Sequence, residues 1–280
     1  MLATASQVHG WVLIEVRGAW GEDAIHRSAL GEHVPADWKD QLKRRHVRAV
    51  CIRSHLRAQA QNVRLYACGV RRPGRGAAPL WTRDVPSLAD VVTAMDDLRL
   101  HRDEATGWRR VDHKIILVCT NSRHDQCCAN RGRPLIRALR DTRWADQVWE
   151  CSHIGGDRFA ANIVVLPDSI YFGRVEPDSV LSLFEMLDAG RIDLDRFRGR
   201  TSLSLSEQAV EHFVRHELGV DGLDAVAIEG RGGDGAFDVR VGERSARVRI
   251  ERRMVSVTEP LTCHGRPGQL VPSFTLVSIE

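Results

Sequence analysis

Lys114-Ile115-Ile116-Leu117-Val118-Cys119-Thr120-Asn121-Ser122-Arg123-His124-Asp125-Gln126-Cys127-Cys128 is the stretch that decides how this chain is read. Its apolar run reads as a buried strand that ends at Cys119, where a polar loop over 120–132 begins. Pro134 suits the first turn of a helix over 133–140. A second strand follows at Val148-Trp149-Glu150-Cys151, and after it the glycine-rich loop 153–158. Residues 162–166 and 170–173, joined by Pro167-Asp168, read as a hairpin. Pro177 opens a last helix with Val180, Leu181, Phe184 and Leu187 on one face, and Gly190 suits its stop.

Strand, helix, strand, hairpin and helix in that order make a thioredoxin-like α/β layer with a mixed sheet, expected over 106–198. Working outward, an N-terminal α/β region over 1–105 holds strands at 11–16, 47–52 and 63–68 and a helical stretch near 36–45. Ser87 and Asp90 there start a helix that carries Leu88, Val91, Val92, Met95 and Leu98 on one face, and 101–112 reads as a polar linker. The C-terminal region, 199–280, opens with a capping box at Ser204 and Glu207, and Gly219 closes that helix. Alternating segments at 224–229, 236–241 and 245–257 then read as a small antiparallel sheet, and the tail carries Cys263. No internal repeat is visible along the chain.

Composition narrows the function classes. A length of 280 residues calls for two or three units of about 100 residues. A net charge of +3 demands no nucleic acid, and no run approaches the ~18 apolar residues of a membrane span. The N-terminus Met1-Leu2-Ala3-Thr4-Ala5-Ser6 has no basic, apolar leader, so the cytoplasm is expected. There the seven cysteines serve as ligands, reactive groups or core residues rather than as disulfides. Walker, nucleophile-elbow and His-Glu-x-x-His patterns are absent, as is the Cys-x-x-Cys of redox thioredoxins.

The chemistry lies in two clusters. Cys119 sits at a strand end, where open α/β sheets present their ligand crevice, and Cys128 follows across a polar loop. Of the adjacent pair Cys127-Cys128, one is expected to ligate and one to pack. In Cys151-Ser152-His153-Ile154-Gly155-Gly156-Asp157-Arg158 the glycines let the backbone turn sharply, and His153 and Asp157 become candidate ligands. Cys151 competes for the same site, because residues 151 and 153 of an extended strand share a face. Thiolates and imidazole suit iron–sulfur clusters and zinc.

These two motifs, Cys119 to Ala129 and Cys151 to Asn162, resemble the sucrase/ferredoxin-like family, and the similarity extends loosely over most of the chain. The resemblance implies a [2Fe–2S] cluster on a thioredoxin-like domain, held by two cysteines and by the two histidines of a His-x-Gly-Gly-His motif. By position, Cys119 and Cys128 match the cysteines and His153 the first histidine. Asp157 stands where the second histidine would be, which leaves the fourth ligand open between Asp157, Cys151 and Cys127. The expectation is a one-electron carrier rather than a catalyst, served by a reductase or acceptor protein, with no nucleic acid or membrane partner. Rival expectations are a structural zinc site on Cys119, Cys128, Cys151 and His153, and a metal-free thiol-redox protein using Cys127 or Cys128.

Overall fold

A computed structural model describes the chain except for residues 77, 97–99, 101–104, 259, 261–264 and 266. Leu98 and Cys263 lie outside the described residues. Apolar, β-branched runs supply the strands, starting with β1 (Gly10–Glu15), which is buried at every position. Helix α1 (Trp38–Arg44) leads to β2 (Val47–Arg53), parallel to β1. Strands β3 (Val63–Gly69) and β4 (Leu80–Val85) form a hairpin on the other side of β1, followed by a 3-10 turn and α2 (Val91–Asp96). The short β5 (Arg109–Arg110) closes this edge.

The same succession then recurs. Strand β6 (Ile115–Cys119), helix α3 (Gln126–Leu139) and β7 (Val148–Cys151) make a parallel unit, and β8 (Ile163–Leu166) and β9 (Ile170–Phe172) a hairpin on β6. Helix α4 (Val180–Asp188) and strand β10 (Phe197–Arg200) follow. All ten strands share one sheet in the order β10-β9-β8-β6-β7-β2-β1-β3-β4-β5. Each half therefore orders its five strands fifth, fourth, third, first, second, the last four being the thioredoxin-like arrangement, and the order is palindromic about the β2–β7 junction. There the second strands pair antiparallel, Ile52 opposite Cys151 and Arg53 opposite Glu150. The join removes what would be two open edges. A repeat of topology is thus present where the residues show none.

Alternate residues of β6 serve different layers. Ile116 and Val118 pack with Leu135, Leu139 and Phe184 of α3 and α4. Ile115, Leu117 and Cys119 join Trp11, Leu13 and Tyr171 on the opposite face. The C-terminal unit comprises α5 (Leu205–Leu218) and a separate antiparallel sheet of β11 (Val226–Arg231), β12 (Phe237–Val241), β13 (Arg244–Ser256) and β14 (Leu270–Ile279).

Several boundaries differ from expectation. Helix α3 begins at Gln126 rather than 133, because the Asp125 carboxylate accepts the Cys127 N–H at 2.8 Å and caps it there. Pro134 accordingly lies inside the helix, not in its first turn. Helix α4 starts at Val180 rather than Pro177, and Leu181 is 40% exposed, its expected place on the buried face being taken by Leu183. Strands β4, β5, β10 and β14 were not anticipated. Arg109–Arg110 reads as linker in isolation and becomes a strand only by pairing with Trp81 and Thr82.

A buried ion network fastens α5 to β10. Glu211 Oε1 accepts from Arg200 Nε at 2.9 Å and from Arg215 Nε and Nη2 at 3.1 and 3.0 Å, and all three side chains are buried. Arg215 also donates to the carbonyls of Val220, Gly222 and Leu223, tying the helix end down. Glu211→Ala would strand two buried guanidinium groups, at a cost of about 3–5 kcal/mol. Thermal unfolding followed by circular dichroism should show that loss, with a smaller one for Glu211→Gln, which keeps the hydrogen-bonding oxygen.

Candidate metal centre

Two loops at the β6 and β7 ends build the site. Cys119 is fully buried, and its N–H donates to the Asn162 carbonyl at 3.1 Å while the Thr120 N–H donates to the Cys151 carbonyl at 3.1 Å. Asp125, as the cap of α3, fixes where the helix starts and places Cys128 in its first turn. Further along the same helix, Gly132 lies against the end of β6: a Cβ there would overlap the Cys119 carbonyl oxygen. Only glycine lets helix and strand backbones meet this closely.

The second loop turns at Gly155 (φ +96°) and Gly156 (φ +84°), both left-handed, before a 3-10 turn over Asp157–Phe159. Arg198 of β10, only 2% exposed, holds this turn from behind. It donates to the Gly155 carbonyl at 3.2 Å, to Asn162 Oδ1 at 2.7 Å and to the Thr4 carbonyl at 2.7 Å. Asn162 Nδ2 in turn donates to the Gly156 carbonyl at 2.8 Å. A side chain on Gly156 would run into the Arg198 guanidinium.

The ligand atoms of Cys119, Cys128 and His153 all lie within 4.8 Å of one another. A second set, His124, His153 and Asp157, meets the same limit and shares His153. Cys128 Sγ donates to Asp157 Oδ1 at 3.4 Å. His153 Nδ1 is 2.9 Å from that oxygen without the alignment of a hydrogen bond, which leaves a buried ring nitrogen unpartnered. The His124 ring stacks on His153, centroids 3.8 Å apart, and its Nδ1 lies 3.3 Å from the Glu22 carbonyl.

Charge in the cluster is divided unevenly. Hydrogen bonds from Cys128 and Cys151, aided by His153, hold the Cys119 thiol well below its ordinary range against the opposing effect of burial. The hydrogen bond to Cys119, burial and the Asp157 charge push Cys128 up. Burial, with Cys119 beside it, raises Cys151 well above the usual thiol value. Burial alone would lower His153, but the Asp157 carboxylate and the Cys119 thiolate outweigh it and bring the imidazole to about 9. The site thus sets one thiol held low beside two held high, facing an imidazole and a buried carboxylate. Soft sulfur beside an imidazole fits an iron–sulfur cluster or zinc.

Of the expected ligands, Cys119, Cys128 and His153 converge, while Asp157 meets Cys128 and His153. Cys151 reaches Cys119 by hydrogen bond, and Cys127 is half-buried and stands outside both donor sets. Sequence reasoning gave no role to His124, although it lies in the loop between the two cysteines. Gly132 and Arg198 carried no local signal, since what they touch is remote in the chain.

The profile of the family described as sucrase/ferredoxin-like matches residues 1–199. Among curated proteins, the chain is similar to altered inheritance of mitochondria protein 32 of Candida glabrata, 25% identical over 132 residues, which are 42% of each chain. The Saccharomyces cerevisiae protein of that name is 31% identical over 101 residues, 31% of this chain and 32% of that one. The chain therefore spans less than half the length of these relatives. Among solved structures, a thioredoxin-like [2Fe–2S] ferredoxin from Aquifex aeolicus is 19% identical, covering 32% of this chain and 94% of that one, with a TM-score of 0.29. A cysteine-to-serine variant of a thioredoxin-like [2Fe–2S] ferredoxin from the same organism is 21% identical, covering 30% and 97%, with a TM-score of 0.28.

Gly132→Ala tests the packing that brings the two cysteines together. The added methyl should push α3 off β6, cost at least about 1–3 kcal/mol as overpacking, and lower the metal bound per chain. Arg131→Ala, on the exposed side of the helix, should change neither thermal stability nor metal content.

Proposed function

The chain belongs to the sucrase/ferredoxin-like family, and from that premise we propose that it is an electron-transfer protein whose centre is a [2Fe–2S] cluster held by Cys119, Cys128, His153 and Asp157. The observation that carries this reading is the convergence of Cys119, Cys128 and His153 within 4.8 Å, beside the buried Asp157 carboxylate. A cluster bound there supplies a one-electron couple, whose potential rises where neutral imidazole replaces thiolate.

The chain's own residues prepare the site. Hydrogen bonds from two neighbouring thiols lower the Cys119 thiol, which favours the anionic form a metal takes. Asp157 lies against both Cys128 and His153, where its carboxylate would complete the donor set. Ile154 and Phe159 anchor the loop in the interior, while Arg198 fixes its turn. The partner is a reductase or acceptor protein that docks over the cluster loops. The cytoplasm, where thiols stay reduced, suits a site built on Cys119 and Cys128. No helix among the described residues is long and apolar enough to cross a membrane.

A single zinc ion is the second reading, and the same spacing favours it. Cys119, Cys128 and His153 would hold the ion, with Cys151 as the fourth donor of a Cys₃His set. Anaerobic purification with iron, zinc and acid-labile sulfide counts, plus visible absorption before and after dithionite, separates the two. Two irons and two sulfides with bleaching on reduction support the cluster; one zinc without sulfide replaces it with a structural site.

The fourth ligand is tested by two variants. Asp157→Ala should lower iron retention by about 10–100-fold and alter the electron paramagnetic resonance of the reduced protein, while His124→Ala leaves both unchanged. The opposite pattern would move the ligand to His124, whose ring is stacked on His153.

A further inference from the structure

Beside the centre, toward the N-terminal half, lies a cavity of about 530 Å³. His124 and His153 form one wall, and the others come from the segment before β1, the loop after β1, α1 and β2. That volume falls within the roughly 300–1,000 Å³ of sites for small organic ligands. It is far more than an ordered water or a lone ion requires.

The lining is unusual for this chain. Lysine occurs only at positions 39, 43 and 114 among 40 basic residues, and Lys39 and Lys43 both line this cavity. They stand one helical turn apart on α1, so their ammonium groups share a face. Lys39 is engaged by Asp23 at 2.8 Å. Lys43 has no carboxylate partner among the described residues, and neither has Arg48. Arg48 instead donates to Ser6 Oγ at 2.9 Å and to the His153 carbonyl at 3.0 Å. With Asp23 matched to Lys39, Glu22 is the remaining carboxylate against Lys43 and Arg48, so cations are in excess. Val8, Ile25 and Val47 add apolar surface.

We propose that this cavity binds a small organic anion with two or more negative oxygens, phosphate or carboxylate, its charged end held by Lys43 and Arg48 and its apolar body against Val8, Ile25 and Val47. Flexible ammonium groups and a guanidinium are the donors such oxygens select. Because Arg48 also holds the His153 carbonyl, a ligand that draws on its guanidinium is coupled mechanically to the loop carrying the imidazole. The inference goes beyond electron transfer: it assigns a binding site, and it holds whichever metal the centre carries.

Isothermal titration calorimetry on the full chain as purified, at fixed ionic strength, tests it with inorganic pyrophosphate and citrate as probes. Saturable binding of one probe at one site per chain is expected, and the tighter probe tells phosphate from carboxylate as the recognised group. Lys43→Ala should weaken that binding about tenfold or more, the loss of one charge-assisted contact. Lys43→Arg should recover most of it, and Arg252→Ala, on the exposed face of β13, should match the unaltered protein. Absence of saturable binding for both probes, or equal affinity in Lys43→Ala, overturns the proposal. Heat is read directly, so failure here leaves the cluster reading standing, and failure of that reading leaves this one standing.

Discussion

The meeting of Gly132 with the backbone of Cys119 is the contact on which the centre depends. A helix that follows a strand ordinarily packs through side chains, at a distance that would carry Cys128 away from the strand end. Here the missing Cβ lets α3 lie directly on the end of β6. The first turn of α3, fixed by the Asp125 cap, then delivers Cys128 beside Cys119. From the other side, Arg198 and the two left-handed glycines set the turn that presents His153 and Asp157. Each loop closes its own turns by hydrogen bonds, and groups remote in sequence fix where it sits. The pre-shaped site therefore rests on positions that carry no ligand atom.

The palindromic sheet shows what distinguishes the two halves. In the second unit Cys119 pairs with Cys151 across parallel strands; in the first, Glu15 stands opposite Ile52 in the same register. The following N–H makes the same bond in both, Thr120 to Cys151 and Val16 to Ile52. Glu15 thus occupies the place of Cys119. Its buried carboxylate accepts from Arg57 at 3.1 and 3.0 Å and from the Arg64 N–H at 2.9 Å. Internal cations satisfy that charge, whereas in the second unit the buried Asp157 carboxylate faces the His153 imidazole and the Cys128 thiol. One topology holds an arginine-paired carboxylate in one half and a cluster of thiols and imidazole in the other.

The first unit nevertheless shapes the second unit's site. Its loop after β1 reaches across the junction, where Gly21 accepts from Asn121 Nδ2 at 3.1 Å and the Glu22 carbonyl lies against His124. This holds His124 in its stack on His153 and leaves the lysine-lined cavity between the loop and α1. The antiparallel β2–β7 pairing puts these groups side by side, and so the cavity exists only because the two halves share a sheet.

Much of the fold was legible because local signals and tertiary context agreed. The apolar runs that became β1, β2, β3, β6 and β7, the Ser204–Glu207 capping box and the Gly219 stop each follow from propensities that packing reinforced. Pro134, an ordinary first-turn residue, points to a later start for α3 than the Asp125 cap sets. The short β5 and β10 have no apolar alternation to declare them, and only their partners make them strands. By itself the sequence determined the strand–helix–strand–hairpin–helix order and marked the two short clusters that hold Cys119, Cys128, His153 and Asp157 as candidates, since periodicity and residue chemistry are local. Tertiary structure alone decided the doubled sheet, the contacts of Gly132 and Arg198, the stacking of His124 and the cavity beside it, because each is a meeting of backbones or charges far apart in the chain.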